Sequence, residues 1–176
     1  LVKILYVIDE LHKTQREYLL SDAAIKTYGS YYSKFRMLVR ECDNFDGFLS
    51  AMFGKSATML LRLAGALKAL KTSVQFLDES RDVRERHLDS LDVEFINWVE
   101  INLSSISDKA ESFIVDAETV VEAARMLEYF NIHKLKLAGY SVGNHTIEIE
   151  TVFESLKSAS SVYDPITRKL MCKTIS

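Results

Sequence analysis

The chain has 176 residues, 48% of them hydrophobic, and a formal net charge of −3. That length suits one domain with a substantial core, and the negative balance argues against a chain-wide nucleic-acid footprint while leaving room for local basic patches. A single proline, Pro165, and only six glycines argue against a turn-rich sandwich or a glycine-loop nucleotide fold, and the wealth of Leu, Ala, Lys and Glu suits helix.

Two cysteines, Cys42 and Cys172, are too few for a disulfide framework or a four-ligand zinc site, which together with their setting gives an intracellular expectation. No uncharged run approaches the roughly 18 residues that a membrane helix needs. The opening run Leu1 to Asp9 meets an acid too early for a secretory signal. It lacks an initiator Met and reads as a piece of a longer protein.

Leu1, Ile4, Leu5, Ile8 and Leu11 recur at helical spacing and predict a first helix to about His12. A polar break over residues 13–16 leads to a short extended piece, Tyr18-Leu19-Leu20. Ser21-Asp22 then reads as a helix cap with an acid in the first turn. The helix that follows carries Ala24, Tyr28, Tyr31, Phe35, Leu38 and Cys42 on one stripe, read as core, with Cys42 a buried thiol. Asp43 to Phe48 reads as a loop. Gly54 is then expected to break the chain and Ser56 to cap a nearly all-apolar helix running to Leu70, buried at the centre of the domain. Gly65 inside that helix predicts a crowded contact, and Arg62 must reach an acid or the surface.

Asp78 to Asp92 alternates in charge and suits a solvated helix or an insert. Val93, Ile96, Val99 and Leu103, with Trp98, predict another amphipathic helix ending at residues 104–108. Phe113-Ile114-Val115 reads as extended and as the partner of Tyr18–Leu20. Asp116 caps a long helix with Val120, Ala123, Ala124, Leu127, Phe130 and Leu135 on its inner side, stopping near Gly139. Lys134 and Lys136 there complement the helix dipole. A last helix is expected from His145 to about Lys157. The expected fold is all-α, a bundle of five to six helices with at most a minor two-stranded β element. Residues 1–160 form one helical domain, and residues 161–176 a tail or the start of a further element.

The chemistry-bearing motifs fail their context tests. Six residues separate Gly47 from Gly54-Lys55-Ser56, where a phosphate loop has four, and they are bulky. Gly139-Tyr140-Ser141-Val142-Gly143 has the letters of a nucleophile elbow but follows a helix, where an elbow needs a strand. His12, His87, His133 and His145 show no metal-ligand spacing, so no metal and no cofactor are expected. His133 reads as a surface histidine at a helix end.

Three segments carry a resemblance: Tyr18 to Tyr28; Gly54 to Leu70, around Leu61-Arg62-Leu63-Ala64; and Ile114 to Phe130. Together they resemble the helical region of a family of uncharacterised primase- and helicase-associated proteins, over about residues 13 to 140. Lys68 stands where that family frequently has His. Such proteins carry a RecA-like P-loop ATPase core, sometimes with a primase domain, and the part resembled here follows that core. The resemblance therefore implies a non-catalytic helical module of a replication-type helicase or primase, packed on the upstream ATPase core of the same protein. Lys55, Arg62, Arg125, Lys134 and Lys136 are then the candidates for contact with nucleic acid or a phosphate. For Arg62 and Arg125 the competing reading is an ion pair with acids at the edge of the core. The competing function is an autonomous protein-interaction domain that self-associates through an exposed apolar face.

Overall fold

The computed structural model describes residues 1–44, 46–79, 91–107 and 109–139, and two short strand segments beyond them. The fold is an all-α bundle with a minor β element. Five helices of ten or more residues are seen among the described residues: α1 (Val2–His12), α2 (Asp22–Cys42), α3 (Gly47–Glu79), α4 (Val93–Asn102) and α6 (Ala117–Leu137). A four-residue α5 (Ser104–Ser107) and a 3-10 turn (Ala110–Phe113) follow α4. The expected helix from His145 and most of the charged window after Asp78 lie outside the described residues.

The chain divides into two compact units, and the boundary falls inside α2, α3 and α6. The first unit holds residues 1–27 and 62–120. Its β element joins β1 (Leu19–Leu20) to β2 (Ile114–Val115) in parallel, with Leu19 opposite Ile114 and Leu20 opposite Val115. Each strand runs straight into a capped helix. Ser21 Oγ accepts from the Ala24 amide at 3.2 Å, and Asp116 Oδ1 accepts from the Thr119 amide at 2.7 Å. Both caps stand where the sequence places them, because a cap bonds an amide only two or three residues away.

Val7, Leu11, Phe76, Phe95, Val99, Ile106 and Phe113 form the core of this unit. Trp98 stacks on Phe76 at 4.6 Å and lies 6.2 Å from Phe95. Burying a side chain the size of Phe95 contributes about 1.5–3 kcal/mol. The inner stripe of α1 differs from expectation: Val7 and Leu11 are buried, whereas Leu1 is 87% and Leu5 55% exposed. α1 is apolar on more than half its circumference, so partner positions rather than periodicity select the inner face. Two polar tethers fix α3 to the chain on either side of β2, one to the 3-10 turn before it and one to the first turn of α6. Thr72 Oγ1 donates to the Ser112 carbonyl at 2.9 Å, and Lys71 Nζ donates to Thr119 Oγ1 at 3.0 Å.

The second unit holds residues 28–61 and 121–176. Phe35, Leu38 and Cys42 of α2 are buried, as are Leu49, Met52, Phe53 and Leu60 of α3 and Ala123, Leu127 and Leu135 of α6. Burial first, then the carboxylates of Asp46 and Glu41, push the Cys42 thiol up to about 12. The thiol therefore stays protonated and unreactive at neutral pH. Gly139, at φ +86°, ends α6 in the left-handed conformation that glycine tolerates. Farther on, Tyr163–Asp164 and Lys169–Leu170 pair antiparallel, in a stretch where the sequence suggests no strand.

Three expectations for α3 are corrected. The helix starts at Gly47, nine residues before Ser56, and its cap is the buried Asp46, whose Oδ1 accepts from the amides of Phe48 and Leu49 at 2.9 and 3.0 Å. Ser56 is an interior residue. It donates to the Met52 carbonyl at 2.9 Å, one turn back. The segment Leu60–Leu70 is buried on one side only: Leu60, Ala64 and Ala69 are inside, while Leu61, Arg62, Ala66 and Leu70 are exposed. Gly65 is not crowded either, since a Cβ there would meet nothing within 4 Å.

Candidate nucleic-acid interface

Gly54-Lys55-Ser56 is a run of interior residues of α3. Its amides are committed to carbonyls one turn back, so they cannot converge on a phosphate as a glycine-rich loop does. The phosphate-loop reading thus fails on backbone geometry, a stronger ground than the spacing of Gly47 and Gly54. Ser56 Oγ also accepts from Asn131 Nδ2 at 3.2 Å, which places its hydroxyl in a buried polar contact with α6.

The five cations singled out in the sequence, Lys55, Arg62, Arg125, Lys134 and Lys136, are all exposed. None makes a hydrogen bond or ion pair among the described residues, so Arg62 and Arg125 show no pairing with core-edge acids there. They are not one cluster. Arg62 belongs to the first unit, and Lys55, Arg125, Lys134 and Lys136 to the second. Three of the five share α6.

That helix is built from its cap upward. Burial raises the Asp116 carboxyl, but the Thr119 amide and hydroxyl, then Lys71 and Lys68, outweigh it and hold the group below the usual carboxylate range. From this start the buried positions are Thr119, Val120, Ala123, Ala124, Leu127, Asn131 and Leu135. Phe130, expected on the inner side, is 41% exposed, and Asn131 takes the inward place. The reason is angular: four residues on from Leu127 the stripe arrives at Asn131, and four more bring it to Leu135.

Toward its C-terminal end α6 exposes Arg125, Tyr129, Phe130, His133, Lys134 and Lys136. Arg125, Tyr129, His133 and Lys136 fall within roughly 80° of one another around the helix axis, while Phe130 and Lys134 stand at the edge of the exposed side. Tyr129 is 60% exposed. Its ring centre lies 4.2 Å from that of His133 at 70° and 6.0 Å from that of Phe130 at 67°. The sole acid between Arg125 and Leu137 is Glu128, which is half-buried. Sequence reasoning found the cations of this strip and missed its rings. The signal was present, since Tyr129 sits four residues from both Arg125 and His133 and so shares their face.

Among the described residues no group of three or more His, Cys, Asp or Glu side chains is arranged to hold a metal ion. No described helix is long and apolar enough to cross a membrane. Comparison of the chain with protein-family models, with curated proteins and with solved structures finds no match.

Proposed function

We propose that this chain is a non-catalytic helical module of a replication-type helicase or primase-like protein, packing on an ATPase core of the same polypeptide and touching nucleic acid. The observation that carries the reading is the set of exposed, unpaired cations on α6, in a helix whose opposite side is committed to the core. The segments that carry the family resemblance support it. Tyr18 to Tyr28 and Ile114 to Phe130 are each a short strand turning through a cap into a helix, and Gly54 to Leu70 lies within α3. The module reading expects no ATP turnover by the chain alone, and light scattering that shifts when a single-stranded oligonucleotide is added. Hydrolysis of ATP by the purified chain overturns the non-catalytic part.

A second reading, an autonomous self-associating domain, is favoured by α1, where Leu1, Val2 and Leu5 are exposed. Its signature is a concentration-dependent mass increase without nucleic acid, abolished by Leu5→Glu.

A further inference from the structure

We infer that the outer strip of α6 is a stacking platform for single-stranded nucleic acid, with Tyr129 as its central ring and Arg125 and Lys136 on the backbone phosphates. The inference rests on the nucleic-acid contact proposed above and deepens it by naming the strand state and the residues.

The charge pattern selects a polyanion. From Arg125 to Leu137 every fixed charge on the exposed side is positive, and the one acid, Glu128, is half-buried. The ring pattern selects bases that are not already stacked. Tyr129 is the most open aromatic in this helix, with His133 and Phe130 set against it at steep angles of 70° and 67°. At these angles each pair meets edge to face, and Tyr129 remains 60% exposed beside both neighbours. A base can then lie on an exposed face of Tyr129 while the flanking cations follow the phosphates, the arrangement that binds single strands without reading sequence.

A duplex offers its phosphates to the cations but keeps its bases from the ring. An anionic lipid surface is the other polyanion such a helix could meet. It is the weaker fit, because the middle of the strip is aromatic and the exposed aliphatics, Met126 and Leu137, stand near its two ends.

The test is fluorescence anisotropy of a labelled oligothymidylate with the full chain, across a salt series. Tyr129→Ala is expected to weaken binding roughly 5- to 150-fold, while Tyr129→Phe, which keeps the ring, stays within about twofold of the parent. Replacing both Arg125 and Lys136 by Ala should flatten the dependence of log Kd on log salt by about 1.4. All these side chains are exposed, so thermal melts of the variants should match the parent and separate lost binding from lost folding.

Equal affinity of Tyr129→Ala and the parent overturns the platform and leaves nucleic-acid binding elsewhere on the chain. Equal affinity for duplex and single strand also overturns it. Binding to phosphatidylserine vesicles without binding to the oligonucleotide assigns the strip to a membrane surface and overturns it. No binding of the parent chain to any nucleic acid removes the underlying contact itself.

Discussion

Replacing Gly65 by Ala in α3 tests how this helix is packed. Glycine in a helix interior is about 0.8–1 kcal/mol less favourable than alanine, because its backbone loses more freedom on folding. An added methyl group is harmless only if the space beside it is open. At Gly65 a Cβ would meet nothing within 4 Å, and at Gly54 only Val39 Cγ2 at 3.9 Å, an ordinary van der Waals contact. Each Gly→Ala change should therefore stabilise the chain by about 0.5–1 kcal/mol. For a protein of this size 1 kcal/mol moves the midpoint by about 2–4 °C, so each variant should melt roughly 1–4 °C higher and the pair higher still. Circular dichroism at 222 nm during a thermal ramp measures this. A fall in midpoint for Gly65→Ala would show a helix crowded against that face, as the sequence alone suggests. A fall for Gly54→Ala would show a break in the helix at Gly54, and the case against a phosphate loop would lose its ground.

Asp46→Ala removes the acceptor of the Phe48 and Leu49 amides and should cost about 1–2 kcal/mol, whereas Asp46→Asn, which keeps an acceptor, should cost a few tenths; equal melting of all three proteins would place the start of α3 elsewhere. Ser56→Ala strands the buried Asn131 amide and should cost about 1–3 kcal/mol, and a double-mutant cycle with Asn131→Ala should give a non-zero coupling between α3 and α6. Strictly additive losses in that cycle would deny the contact. Asp116 has a folded-state pKa below its unfolded value, so its contribution is complete above about pH 4 and is lost as pH falls through the folded value. The stability gap between the parent and Asp116→Ala, about 1 kcal/mol at pH 7, should accordingly close in acid. A gap that does not narrow at all as the pH falls below the usual carboxylate range would mean that the charged carboxylate is not what caps α6.

What could be read from the sequence was what short-range chemistry decides. Ser21 and Asp116 were legible as caps because each bonds an amide three residues ahead, and the extended pieces before them were legible as partners because each precedes such a cap. The start of α3 was not legible for the same reason. Asp46 and Ser56 have equal local capping chemistry, and only the burial of Leu49, Met52 and Phe53 decides in favour of Asp46. In α1 the stripe through Leu1 and Leu5 and the stripe through Val7 share Ile4, Ile8 and Leu11, so periodicity gives no ranking between them.

The candidate site divides along the same line. Arg125, Lys134 and Lys136 were evident because a cation near a helix end is read from its own letter. Phe130 was obscured because it was counted with the core stripe, and Tyr129, outside that stripe, carried no charge to single it out. Asn131 was obscured because its partner, Ser56, is 75 residues away in the chain.

The main chain from Gly54 to Ala57 is ordinary helix, and the absence of a phosphate loop there follows from it. Amide NMR of the isotopically labelled chain, with and without magnesium-ATP, examines those four groups directly. Slow hydrogen exchange at all four, like that of Phe53 and Met59, and unchanged shifts on adding nucleotide are the predicted result. Rapid exchange at Gly54 and Lys55 together with nucleotide-dependent shifts would contradict it.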